Sequence, residues 1–236
     1  MIKLEHTVLP SANQMQFVIE GMRNPMNSWD KSDSVKCYAN EKCQGICNEN
    51  KIGLCVGDND RSLMKRLVKA GTDHRKFMRM MPVYVRITAP LYWWKEADTY
   101  KIGTVANSCS TMHKIQEKEF TLDDFSHEHL VKTNLLDIII DDLNSNRTIY
   151  NDYDNQSDEF KAKFSKKDVW WQMIQLLPSS YNQTRNVMLN YEVLANIYKS
   201  RKNHKLDEWR EFCKWIEGLP FSDLIMHEVV EINSIR

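Results

Sequence analysis

Residues 83–90 read Val-Tyr-Val-Arg-Ile-Thr-Ala-Pro, and no other run constrains the fold as much. Val83, Val85 and Ile87 alternate with Tyr84, Arg86 and Thr88, the period of a strand with one face buried. Pro90 ends the alternation. Because proline suits the first helical turn, a helix is expected from Leu91 to Tyr100, carrying Trp93, Trp94 and Lys95. Unpaired backbone amides at a strand-to-helix junction attract anions, so the residues just beyond it are candidates for ligand binding.

Most of the remaining pattern is helical. A strand is expected at Ile2–Val8 and a short helix at Ala12–Met22. Asp60 reads as an N-cap for a helix through Leu63, Leu67 and Val68, with Gly71 as its stop. Helical spacing covers Thr121–Leu143, where Asp123 and Asp124 suit the positive end of the helix dipole. After an Asn- and Asp-rich break at residues 151–157, Ser165 caps a helix that Pro178 ends. Asn182–Arg201 and Leu206–Glu217 are expected as further helices. The fold class is therefore α+β, predominantly helical with a small sheet. Residues 1–60 form an irregular N-terminal segment of the same domain, and residues 61–236 its body.

Bulk charge narrows the function. Lys plus Arg and Asp plus Glu number 32 each, leaving no positive field to gather nucleic acid. No apolar run approaches the ~20 residues that span a bilayer, and Met1–His6 lack a leader's apolar core, so a cytoplasmic protein is expected. Of six cysteines, Cys37, Cys43, Cys47 and Cys55 cluster in one polar segment. Their gaps of five, three and seven residues lack the tight Cys-x-x-Cys knuckle of structural zinc sites. Free thiols, a zinc site and a redox bridge all stay open. Cys109 has no evident base to activate it and is expected to be a small buried thiol.

The stretch from Trp94 to Thr111 packs hydroxyls, amides and paired charges together, with Thr99, Tyr100, Lys101, Thr104, Asn107, Ser108 and Ser110 in order. It resembles the signature of the flavin-dependent thymidylate synthases, an Arg-His-Arg group, a Ser, then Asn-Glu, Ser and Arg. Lys95-Glu96 corresponds to the family's basic or amide residue and Glu just ahead of it. The surrounding landmarks keep the family's order: Leu63–Gly71, His74 and Val83–Pro90 before the signature, then Leu177-Pro178, Asn190, Leu194, Arg201 and Glu208-Trp209-Arg210 after it. The resemblance spans residues 60–216.

That resemblance implies a homotetramer with FAD at subunit interfaces, in which dUMP is methylated with a folate one-carbon donor and flavin hydride. It implies cofactor contacts from Lys95, Thr99, Tyr100, Lys101 and Asn107. Nucleotide contacts would come from Thr104, Ser108, Ser110, Arg201 and Arg210. The departures lie in the charges. Thr99, Tyr100 and Met112 stand where the family has cations, and Glu192 replaces an arginine; if it faced a phosphate it would repel it by roughly a kcal/mol. A changed substrate or cofactor is one consequence. An inactive interaction protein on the same scaffold, of phage or mobile-element kind, is the other. Trp93 and Trp94 could stack on a flavin or base, or fill the core.

Overall fold

A computed structural model describes residues 1–37 and 52–226. Its elements are β1 (Lys3–Val8), α1 (Ala12–Arg23), β2 (Val35–Lys36), β3 (Leu54–Cys55), α2 (Asp58–Lys69), β4 (Pro82–Pro90), α3 (Leu91–Ala97), β5 (Val105–Ser108), α4 (Thr111–Lys114), α5 (Asn134–Asn151), α6 (Asp158–Lys163), α7 (Lys166–Leu176), β6 (Asn182–Asn190), α8 (Tyr191–Arg201), α9 (Asp207–Glu217) and α10 (Ser222–Met226). The main sheet has strand order β1-β4-β6-β5, and β2 pairs with β3. The α+β expectation holds. Val83, Val85 and Ile87 are buried, as the alternation of β4 requires.

The chain divides into two compact units, residues 1–3, 88–98 and 107–185 in the first, and residues 4–87, 99–106 and 186 onward in the second. In the first, α5 and α7 pack on a core of Phe120, Phe125, Leu136, Leu143 and Met173. Asn144 clamps the approach to α5, its amide bonding both N and O of Phe120 at 2.9 Å. Ser165 caps α7 as expected, and Asp168 completes a capping box with it.

One helix expectation fails in this unit. Thr121–Leu143 is not a single helix: residues 122–124 make a 3-10 turn, and α5 begins only at Asn134. Phe125 is extended and forms a β-bridge with Tyr181, while Ser126 N–H reaches Ser180 O at 2.8 Å. Pairing to a distant segment overrides the local helical spacing.

The second unit buries Met15, Met64, Met78, Leu194, Trp209 and Ile216. Asn182–Arg201, expected as one helix, is a strand to Asn190 and a helix beyond it. Val187 and Leu189 are buried on alternate positions, and Asn190 caps α8 by accepting from Val193 N–H at 3.0 Å. α3 ends at Ala97, short of Tyr100.

Asp60 is not the N-cap of α2. The helix starts at Asp58, and Asp33, from the preceding loop, accepts from Asn59 N–H at 2.8 Å and Asp60 N–H at 3.0 Å. Asp60 itself is fully buried. It accepts from Arg23 Nε at 2.6 Å, Ser32 Oγ at 2.8 Å and Ser34 Oγ at 2.6 Å. Burial alone would raise its carboxyl, but the two serine hydroxyls and the Arg23 guanidinium together outweigh that and hold its pKa below the ordinary value.

Cys37 and Cys55 face each other across the β2–β3 pair, with Sγ atoms 2.8 Å apart. Cys43 and Cys47 lie outside the described residues. Among the described residues no group of three or more His, Cys, Asp or Glu is placed to hold a metal, and no helix is long and apolar enough to cross a membrane.

Candidate functional site

In the second unit, Tyr100 and Arg201 meet although the chain separates them widely. Arg201, in the last turn of α8, donates from Nε to Tyr100 OH at 3.0 Å. Its guanidinium lies 5.7 Å from the Tyr100 ring centroid and 4.9 Å from that of the fully buried Trp209. Trp209 meets Tyr100 edge to face at 6.0 Å. Two ring faces thus fix a cation that stays partly open to solvent.

The turn leading from Tyr100 is tight. Thr104 N–H approaches Lys101 O at 3.5 Å, and Gly103 has φ +80°, the left-handed region that glycine enters without strain. Lys101 is exposed. Thr104 Oγ1 is buried with no hydrogen-bond partner among the described residues. A methyl group added at Gly103 would sit 2.6 Å from Asn190 Nδ2, whose amide is held by its capping role. Gly103→Ala is therefore expected to cost about 1–3 kcal/mol, read as a lowered midpoint in thermal unfolding; an unchanged midpoint would mean that the turn repacks freely.

Arg210 is engaged locally. Its Nη1 donates to His204 O at 2.9 Å and Lys205 O at 3.1 Å, and its Nη2 pairs with Asp207. Glu192 does not face a ligand surface. It is buried and pairs with Arg75, whose Nη2 donates to Oε1 at 3.1 Å and whose Nε lies 2.9 Å from Oε2 as an ion-pair contact. The feared repulsion of a phosphate is absent because the charge is matched inside the core. His74 is exposed, its N–H closing a turn on Gly71 O.

In the first unit, Lys95, Asn107, Ser108 and Ser110 are exposed. Ser110 Oγ caps α4 by accepting from His113 N–H at 3.2 Å. Gln183 Nε2 donates to Cys109 O and Thr111 Oγ1, both at 3.1 Å. Cys109 is exposed, not buried as expected, because it directly follows β5, all four of whose residues are exposed. The buried thiol is Cys213, which burial above all, with Glu217 nearby, pushes up to about 12. Trp93 and Trp94 are core residues, 2% and 3% exposed, with Trp94 Nε1 donating to Gln183 O at 2.9 Å. They are closed to stacking on a ligand.

The sequence reading missed Arg185. Its guanidinium lies 4.1 Å from the Trp94 ring centroid and is braced by Gln183 Oε1 at 2.9 Å and Asp98 Oδ1 at 2.7 Å. An arginine flanked by Thr184 and Asn186 was the available signal, hidden by the helical reading of that segment.

No protein-family model matches this chain, and no curated protein does. Among solved structures it is similar to thymidylate synthase X from Helicobacter pylori, solved with FAD and dUMP, with a TM-score of 0.60 and 14% identity over 94% of each chain. A second structure, of the flavin-dependent thymidylate synthase from Helicobacter pylori complexed with FAD and dUMP, gives 0.54 and 15% over 93% of each chain. The chain has the flavin-dependent thymidylate synthase fold. At this identity the likeness is one of fold.

Proposed function

We propose that this protein binds FAD, a pyrimidine nucleotide such as dUMP, or both, with Arg201 as the principal fixed cation. The observation that carries the reading is the Thr104 hydroxyl, buried without a partner beside a glycine turn and following Tyr100, which contacts Arg201. A polar atom left so is costly unless a ligand or water completes it. The residues present fit a phosphorylated ligand. Lys101 offers a point charge and Arg201 a planar fork, while Thr104 contributes a hydroxyl. Lys95, Thr99, Asn107, Ser108 and Ser110 are the further contacts the resemblance suggests. A bound reduced flavin would supply hydride for reductive methylation of the nucleotide, with folate as one-carbon donor.

Saturating FAD is expected to raise the thermal midpoint by roughly 5–10 °C. Lys101→Ala, at an exposed position, is expected to leave the unliganded midpoint unchanged and weaken FAD binding about 3–10-fold. A colourless protein with no shift on adding FAD or dUMP would defeat the reading. Rescue of a thymidine auxotroph tests the methylation itself.

Binding without turnover is the second reading. It is favoured by Arg210, whose guanidinium is committed to two carbonyls and Asp207.

The resemblance also suggests a homo-oligomer. Val131, 98% exposed, and Leu135 and Ile138, each 60% exposed, give it an apolar surface along the start of α5. Leu135→Lys with Ile138→Lys is expected to convert the assembly to a smaller species in sedimentation velocity. An unaltered profile would place the interface elsewhere.

A further inference from the structure

A cavity of about 370 Å³ opens beside α1 in the second unit, lined by none of the proposed cofactor or nucleotide contacts. That volume suits a small organic molecule. Arg23, the last residue of α1 and 2% exposed, lines it. Its Nε is bound to Asp60 and its Nη1 to the carbonyl and hydroxyl of Ser28 at 3.2 and 3.4 Å. Nη2 is buried and has no partner among the described residues. Guanidinium carries five N–H donors, and the two on Nη2 need an acceptor that the described residues do not provide.

The other walls define what that acceptor belongs to. Ser32 and Ser34 direct their hydroxyl protons to Asp60, so toward the cavity they can only accept. Glu20 is a third acceptor at the rim. Arg23 is already neutralised by Asp60 at 2.6 Å, and Glu20 leaves the walls net negative, which disfavours an anion. Ile19 and the indole of Trp29 form the apolar part. Trp29 is 49% exposed, yet its Nε1 is tied to Asn24 Oδ1 at 2.7 Å, so a flat face is held ready.

We infer that this cavity binds a small, uncharged, planar molecule that presents a carbonyl oxygen beside an N–H, the edge of an aromatic amide or a lactam. The carbonyl accepts from Arg23 Nη2, the N–H donates to Ser32 Oγ or Glu20, and the ring lies on Trp29.

Benzamide and benzoate have the same ring and nearly the same shape but differ in charge and in donor, and saturation-transfer NMR on the full chain separates them. Benzamide is expected to receive saturation at millimolar concentration, and benzoate to bind at least about tenfold more weakly. Trp29→Ala is expected to weaken benzamide binding about tenfold, with the thermal midpoint kept. Glu20→Lys, at an exposed helical position, is expected to invert the preference toward benzoate. No transfer to benzamide, equal binding of the two probes, or a preference indifferent to Glu20→Lys would overturn the assignment. Should Trp29→Ala fail to fold, the Glu20→Lys inversion decides alone.

Discussion

Glu192→Ala is expected to destabilise the protein by about 3–5 kcal/mol, since it strands a charged guanidinium in the core. The Arg75 and Glu192 side chains are 3% and 8% exposed. One hydrogen bond, Nη2 to Oε1 at 3.1 Å, and a close charge contact, Nε to Oε2 at 2.9 Å, hold the pair. Arg75 cannot shed its proton, so without Glu192 it must draw in water or distort the start of α8. Arg75→Ala should cost a similar amount. Replacing both by Met should be far milder than the sum, because the desolvation of the pair disappears with the pair. Urea unfolding of the two single variants and the double one measures this directly. A loss below about 1 kcal/mol for Glu192→Ala, the value of an exposed pair, would refute the buried placement.

Asp60→Asn should cost a comparable 3–5 kcal/mol at neutral pH, and its signature is the acid limb. The carboxylate serves Arg23, Ser32, Ser34 and the backbone N–H groups of Asp33 and Ser34. Asparagine keeps the shape but brings N–H donors against donors and leaves Arg23 unbalanced. The folded pKa of Asp60 is depressed. Its contribution is therefore fully present above the unfolded value of about 4, and fades as pH falls through the lower folded value. Stability measured from pH 7 downward should show the wild type and the variant converging below about pH 4. Parallel curves over that range would mean that Asp60 gains nothing from its surroundings.

What the sequence disclosed followed the range of the interactions involved. β4 was readable because Val83, Val85 and Ile87 alternate locally, and α7 because Ser165 and Asp168 close its first turn within four residues. β6 was unreadable as a strand, since its pairing lies with distant strands and its spacing also suits a helix. Phe125 was drawn out of a helix by Tyr181 in the same way. The site divides along the same line. Tyr100 and Arg201 were legible as landmarks of a resemblance, but their contact over Trp209 was not. Glu192 looked like a hostile charge because sequence names a residue without naming its partner, and Arg75 stands far back along the chain. Arg185 was passed over because its segment was read as helix.

Asn190 touches two things at once: it closes the first turn of α8 and abuts Gly103. A molecule settling on the Lys101–Thr104 turn would press that amide onto the helix and damp its fraying. Slower hydrogen exchange at the Val193 amide would then report occupancy from a spot that no substrate need reach, which makes this helix start a built-in gauge for screening ligands.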